Sequence, residues 1–369
     1  MSDVSIPDNT IINDIRTSTD FKSISFSGYK KTEAKNQLIE SLIKSKIEPA
    51  CHWAAELICA GHYIDIWECI LYYLGKHIHA ANPKMVIYLE KRYKIFRNII
   101  QQGLFVSELD LRNNITIRKL FAEMIVIISK SPQKPSFETL KIDRVEEFDI
   151  TKMTDRLKAP NINYAEGLLD TEDPKELFIV INEFAYQISE DTHNMIDACF
   201  WIEWIIEFEH ICKTRKQPSK CKRRAYPVEN KYQRDIIWMI WDTLIYYGKK
   251  HGLFIENIMN SLLELFCIRY TTASSKKRKY ILYYAVELLT EMIPTGIELV
   301  SKETKEILEM VFENIHAIYK QIKKNEIGPG TDYLFSGLGT DNNLEKSVKK
   351  LEMLRAMDIT PLKPHISDT

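Results

Sequence analysis

The sequence predicts an all-α fold: an irregular stack of helical hairpins, built either as a HEAT-like array or as two packed helical bundles. Three observations carry that expectation. Turn-forming residues are scarce, because 12 glycines and 13 prolines in 369 residues make about 7% of the chain against a usual share of roughly 12%. Apolar residues recur at helical rather than alternating spacing over most of the length. No repeat of fixed period survives along the chain, so any stacking is irregular.

Residues 1–32 are rich in Ser, Thr, Asp and Asn with scattered Ile, and read as a weakly ordered N-terminal arm. Helical spacing begins after Glu33 with Leu38, Leu42 and Ile43 and continues through a first helical half, 33–130. In NPKMVIYLEKRY, Asn82 is placed to cap a helix that Pro83 opens. The pattern lapses over 131–172, where SPQKPSF and RLKAPNINYAEGLLDTED have the texture of an ordered, irregular connector. In DPKELF, Asp173, Pro174 and Glu176 have the spacing of a cap, a first helical residue and a capping box.

The second helical half, 173–325, is more apolar. In MIDACFWIEWIIEFEHIC the polar residues are confined to Asp197, Glu203, Glu207, Glu209 and His210, so the helix belongs inside a layer of others. The helix after Ser301 carries acids early and bases late, which suits its macrodipole. Residues 326–369 comprise a glycine-rich break, a short amphipathic helix near 342–357 and a polar tail.

The chain has 50 bases and 51 acids, a formal net charge of −1, so a polyanionic partner must be met by a local patch. No stretch reaches the 18–20 apolar residues of a membrane helix, which argues against membrane insertion. The start MSDVSIPDN lacks the basic-then-apolar order of a secretory signal. Seven cysteines at irregular spacing suit reduced thiols in a cytoplasmic setting.

Two basic clusters stand out. HICKTRKQPSKCKRR (210–224) contains Lys213, Arg215, Lys216, Lys220, Lys222, Arg223 and Arg224 with no acid, and SSKKRK contains Lys276, Lys277, Arg278 and Lys279. If they face one way, they form a groove for phosphates; otherwise they are solvated charge that keeps an apolar half soluble. As exposed loop charges, Lys220, Lys222, Arg223 and Arg224 would contribute little to stability.

His210, Cys212 and Cys221 supply too few ligands at poor spacing for zinc, and Cys51, His52, Cys59 and His62 read as core. His77 and His79 read as helix C-terminal imidazoles. No metal and no cofactor are expected. The tryptophans and paired tyrosines read as packing rather than base-stacking platforms. Glu203 and Glu207 share a helix face as a polar stripe. Phosphate-loop, dinucleotide, zinc-protease, nucleophile-elbow and calcium-loop patterns are absent, so no catalytic residue is assigned.

The phrases FSGYKK (26–31), KIEPACHWAAELICAG (46–61), HIHAANPK (77–84), IRKLFAEMI (117–125), RLKAPNINYA (156–165) and DPKELFIVINEFAY (173–186) resemble a protein family of large nucleocytoplasmic DNA viruses, the giant and algal viruses. The resemblance implies no site residue. It implies a compartment, the host cytoplasm or a viral factory within it. The leading expectation is a non-enzymatic helical scaffold that binds protein partners. The alternative is a nucleic-acid-binding accessory factor in viral replication, transcription or translation.

Overall fold

In a computed structural model, residues 7–102, 107–144, 146–148, 153–328 and 348–352 are described. The fold is all-α. Twelve helices are named here: α1 Lys31–Ile43, α2 Ile47–Cys59, α3 Tyr63–Tyr73, α4 Lys84–Gln101, α5 Ile115–Ser129, α6 Phe178–Gln187, α7 Met195–Thr214, α8 Ile237–Lys250, α9 Leu253–Phe266, α10 Ser274–Lys277, α11 Lys279–Thr290 and α12 Lys302–Lys323. Among the described residues the sole β-type pairing is an isolated bridge between Ile24 and Lys30. No helix among them is long and apolar enough to cross a membrane. The chain divides into two units, Met1–Ile12 with Arg16–Glu326, and Asn13–Ile15 with Ile327–Thr369. All twelve helices belong to the first. In the second, the Ile15 amide donates to the Ile327 carbonyl at 3.1 Å and the Ile327 amide to Asp14 Oδ2 at 2.9 Å. The C-terminal amphipathic helix expected over 342–357 is described only at 348–352, which is helical; the rest lies outside the described residues.

Local chemistry explains the helix ends. Asn114, Asn194 and Ser301 accept the amides of Ile117, Asp197 and Thr304 at the starts of α5, α7 and α12, each satisfying a donor without an intrahelical partner. Gly61, at φ 75°, ends α2. The Gly61 amide donates to Ile58 and the His62 amide to Leu57, the paired bonds of a left-handed C-terminal cap. Two expected caps are not formed. The Asn82 amide group donates to Ser131 Oγ at 3.2 Å, and α4 has no side-chain cap. Asp173 precedes a 3-10 turn, Lys175–Leu177, rather than a helix, and its carboxylate is taken by Arg224. In both cases a tertiary partner outcompetes the local amides.

Sequential hairpins form α1–α2, α6–α7 and α8–α9, while α4 packs on α9, α7 on α11, and α12 returns to α2 and α5. Trp67, Trp201, Trp238 and Trp241 are fully buried; their rings are core, as expected. Within the stretch read as an arm, Phe21 and Phe26 are also fully buried, with the Arg16 guanidinium over both rings. Arg118, likewise buried, donates to the carbonyls of Arg112 (2.7 Å) and Thr10 (2.9 Å) and lies 3.9 Å from the Tyr319 ring centre. It joins the N-terminal residues to α5 and α12. In the 131–172 connector the named elements among the described residues are two 3-10 turns, Thr154–Arg156 and Asn163–Ala165.

The end of α3 departs from the helix C-terminus expected around His77 and His79. The chain widens into a π turn, Leu74–Ile78, and His79 takes φ 31°. His79 is buried, and its Nδ1 lies 2.8 Å from Glu287 Oε2 on α11, while Lys134 donates to Oε1 at 2.6 Å. Burial alone would raise the Glu287 carboxyl, but His79 and Lys134 overcome it and hold it below its ordinary value. The imidazole is thus committed to a buried hydrogen bond with Glu287 rather than to helix-end carbonyls.

Candidate functional site

The last turns of α7 and the short helix α10 bring parts of both basic clusters to one groove of about 620 Å³. Lys213 and His210 come from α7, and Lys276 and Lys277 from α10. Helical periodicity selects them. His210 and Lys213 are three apart, so they lie along one face. Lys276 and Lys277 are exposed, whereas the neighbouring Ser274, Ser275 and Arg278 are buried. Ile206, Thr272 and Ala273 supply less polar wall. No phenyl, phenol or indole ring lines the groove.

Glu209, 4% exposed, lines the same groove. Its carboxylate contacts the Lys213 ammonium at 3.2 Å, and its Oε1 is buried without a hydrogen-bond donor. Burial pushes the Glu209 carboxyl above its ordinary value, and the neighbouring Asp235 adds to the rise while Lys213 and Lys220 oppose it. Its spacing four residues before Lys213 was the only trace of this pairing in the sequence.

Most of the other predicted cations are engaged elsewhere. Lys220 donates to Asp235, which is fully buried, at 2.6 Å. Lys222 reaches Asp170 at 2.6 Å. Arg223 donates to Gln233 (2.7 Å) and Asn230 (2.9 Å). Arg224 grips both oxygens of Asp173 and also donates to Asp242 at 2.8 Å. Residues 220–224 therefore clasp the 170–173 segment to α8, with Lys220, Lys222 and Arg223 held by these partners while still exposed. The acids that neutralise them lie at least ten residues away in sequence, out of sight of any local reading.

Arg278 turns inward to Glu68 at 2.6 Å, and Lys279 to Glu203 at 2.7 Å. Glu203 also accepts from Tyr283, while Glu207 pairs with Arg144, so the two acids serve separate partners. Arg215 and Lys216 are exposed at the end of α7. Lys216 sits at φ 58°, its amide donates to Lys213 and the Gln217 amide to Cys212, which ends the helix and directs the chain away.

His210, Cys212 and Cys221 do not converge. Cys221 is buried with its thiol on the Asp235 carbonyl, and burial pushes that thiol up to about 12. Among the described residues no group of three His, Cys, Asp or Glu side chains is placed to hold a metal ion. A second cavity, of about 390 Å³, is walled by Tyr164, Asp191, Tyr246, Tyr247 and Lys250. There Tyr164 donates to Asp191 at 2.7 Å, and Lys250 covers the Tyr246 and Tyr247 rings. Of these two cavities, the α7–α10 groove is the one lined by Lys276 and Lys277, which have no ion-pair partner among the described residues. Comparison with protein-family models, curated proteins and solved structures returns no match.

Proposed function

We propose that this chain is a helical scaffold that captures a protein partner through the α7–α10 groove, acting in the host cytoplasm or viral factory that the sequence resemblance implies. The observation that carries the reading is the meeting of Lys213 with Lys276 and Lys277 in one groove. Lys276 and Lys277 are exposed and have no ion-pair partner among the described residues. In a protein of net charge −1, two exposed lysines beside a groove whose acids Glu207 and Glu209 are already paired with Arg144 and Lys213 read as a docking feature rather than a solubility device.

The nucleic-acid reading draws on the same cations. It is disfavoured by the wall of the groove, which presents no large aromatic ring for a base to stack on.

The double substitution Lys276→Gln/Lys277→Gln tests the proposal. Both side chains are exposed, so the melting temperature should stay within about 1 °C of wild type. In nuclease-treated extracts of infected cells, wild-type protein should retain partners that the double variant loses. Retention that requires intact nucleic acid, or that is equal in the two proteins, overturns the reading.

A further inference from the structure

We infer that the occupant of the α7–α10 groove is an acidic peptide segment carrying an apolar side chain, and that Glu209 tunes its affinity by taking up a proton when the segment binds. The inference rests on the scaffold reading above and names the class of partner and the control of the site.

Charge complementarity identifies the occupant. Lys213, Lys276 and Lys277 call for carboxylates, and Ile206, Thr272 and Ala273 between them offer a less polar wall for an aliphatic side chain. The volume of about 620 Å³ holds several side chains and lies within the range of peptide and ligand sites.

Two carboxylates line the groove, Glu207 and Glu209; Glu207 is paired with Arg144, which leaves Glu209 as the discordant group. A carboxylate in a groove for anions opposes its own ligand unless it is neutralised. One oxygen already faces Lys213, whereas Oε1 is buried with no donor, so a proton placed there breaks no hydrogen bond. The groups around it are Glu207, His210 and Lys213 on its own helix, Glu207 being paired with Arg144, then Lys220 and Asp235 before α8, Tyr270 after α9, and Lys276 and Lys277 on α10. Asp235 is held by Lys220 and Tyr270. Protonation at Glu209 therefore leaves Lys213 with its full charge for the ligand.

The sign follows from linkage. Burial holds the Glu209 carboxyl above its ordinary value in the free protein, and a bound anion raises it further. Affinity for an acidic peptide must then fall as pH rises through that range, and binding must consume a proton. Glu209→Gln mimics the protonated form. It should bind more tightly at neutral pH by on the order of fivefold and lose the pH dependence.

Fluorescence anisotropy with a labelled deca-glutamate peptide bearing one central leucine provides the test, between about pH 5.5 and 8 where the peptide stays largely ionised. Histidines as a class titrate in this window, so the pH series is run in a His210→Gln background with and without Glu209→Gln. The comparison ligands are the same peptide with serine for leucine, and oligo-dT. The expected result is tighter binding of the leucine peptide than of either comparison ligand, and a pH slope that Glu209→Gln abolishes. Thermal melts confirm that each variant is folded.

If the peptide binds and Lys276→Gln/Lys277→Gln weakens it, but Glu209→Gln keeps wild-type affinity and slope, the inference fails while the scaffold reading stands. Equal or tighter binding of oligo-dT overturns the peptide assignment in favour of nucleic acid. If the double lysine variant binds as wild type does, the groove itself is wrong and both proposals fall.

Discussion

Asp173→Ala lowers the free energy of unfolding by about 3–5 kcal/mol, the range expected when one partner of a buried ion pair is removed. Asp173 is 3% exposed and accepts from Arg224 through both oxygens, from the Lys222 amide at 2.8 Å and from the Asp170 amide at 2.9 Å. Alanine leaves the Arg224 guanidinium, itself mostly buried, with Asp242 as its one carboxylate and the Lys222 carbonyl as its other acceptor, and leaves two amides without an acceptor. Burial by itself would raise the Asp173 carboxyl. The Arg224 guanidinium and the two amides outweigh that and hold it below its ordinary value. A carboxyl depressed by folding stabilises the protein above its unfolded pKa, and this contribution is lost as pH falls through the folded one. Denaturant midpoints of wild type and Asp173→Asn should therefore differ at pH 7 and approach each other below about pH 4. A gap that persists unchanged into acid would show that the ion pair is not its source.

Gly75→Ala is the second large effect, with a cost of about 3 kcal/mol or more and a melting temperature lower by on the order of 5 °C. A Cβ at Gly75 would lie 2.8 Å from the carbonyl carbon of Tyr280 and 2.9 Å from its oxygen. These are backbone atoms at the start of α11 and cannot rotate aside. The π turn 74–78 must therefore shift, and with it His79 and its contact with Glu287. Gly248→Ala is the matched control. There the new methyl would meet only the flexible Met259 side chain at 3.4 Å, inside a helix where alanine is intrinsically favoured. That variant should melt within about 2 °C of wild type, and equal melting of Gly75→Ala and wild type would deny the close approach.

The candidate site was half legible. Lys213, Lys276 and Lys277 are visible as dense positive charge, yet the same density drew in Arg224 and Arg278, which are 11% and 1% exposed at their side chains. Net charge in a window of sequence counts only neighbours along the chain. Asp173 lies 51 residues from Arg224, and Glu68 lies 210 from Arg278. Glu209 passed as one more polar residue of an apolar helix because burial, which makes its carboxylate matter, is a property of the surrounding helices and not of the residue.

What the sequence determined by itself is the class of the fold and the local ends of its helices. Scarce turn residues, helical spacing, Gly61 after α2 and Ser301 before α12 act through bonds spanning a few residues, so a linear reading captures them. Only the tertiary structure decided which polar side chains those local signals lost to distant partners. Asn82 left its helix for Ser131, and Asp173 left its turn for Arg224. The physical reason is burial. Once enclosed among helices, a charge must be satisfied by whatever the fold brings within reach, whereas the exposed Lys276 and Lys277 stay open to solvent at the groove.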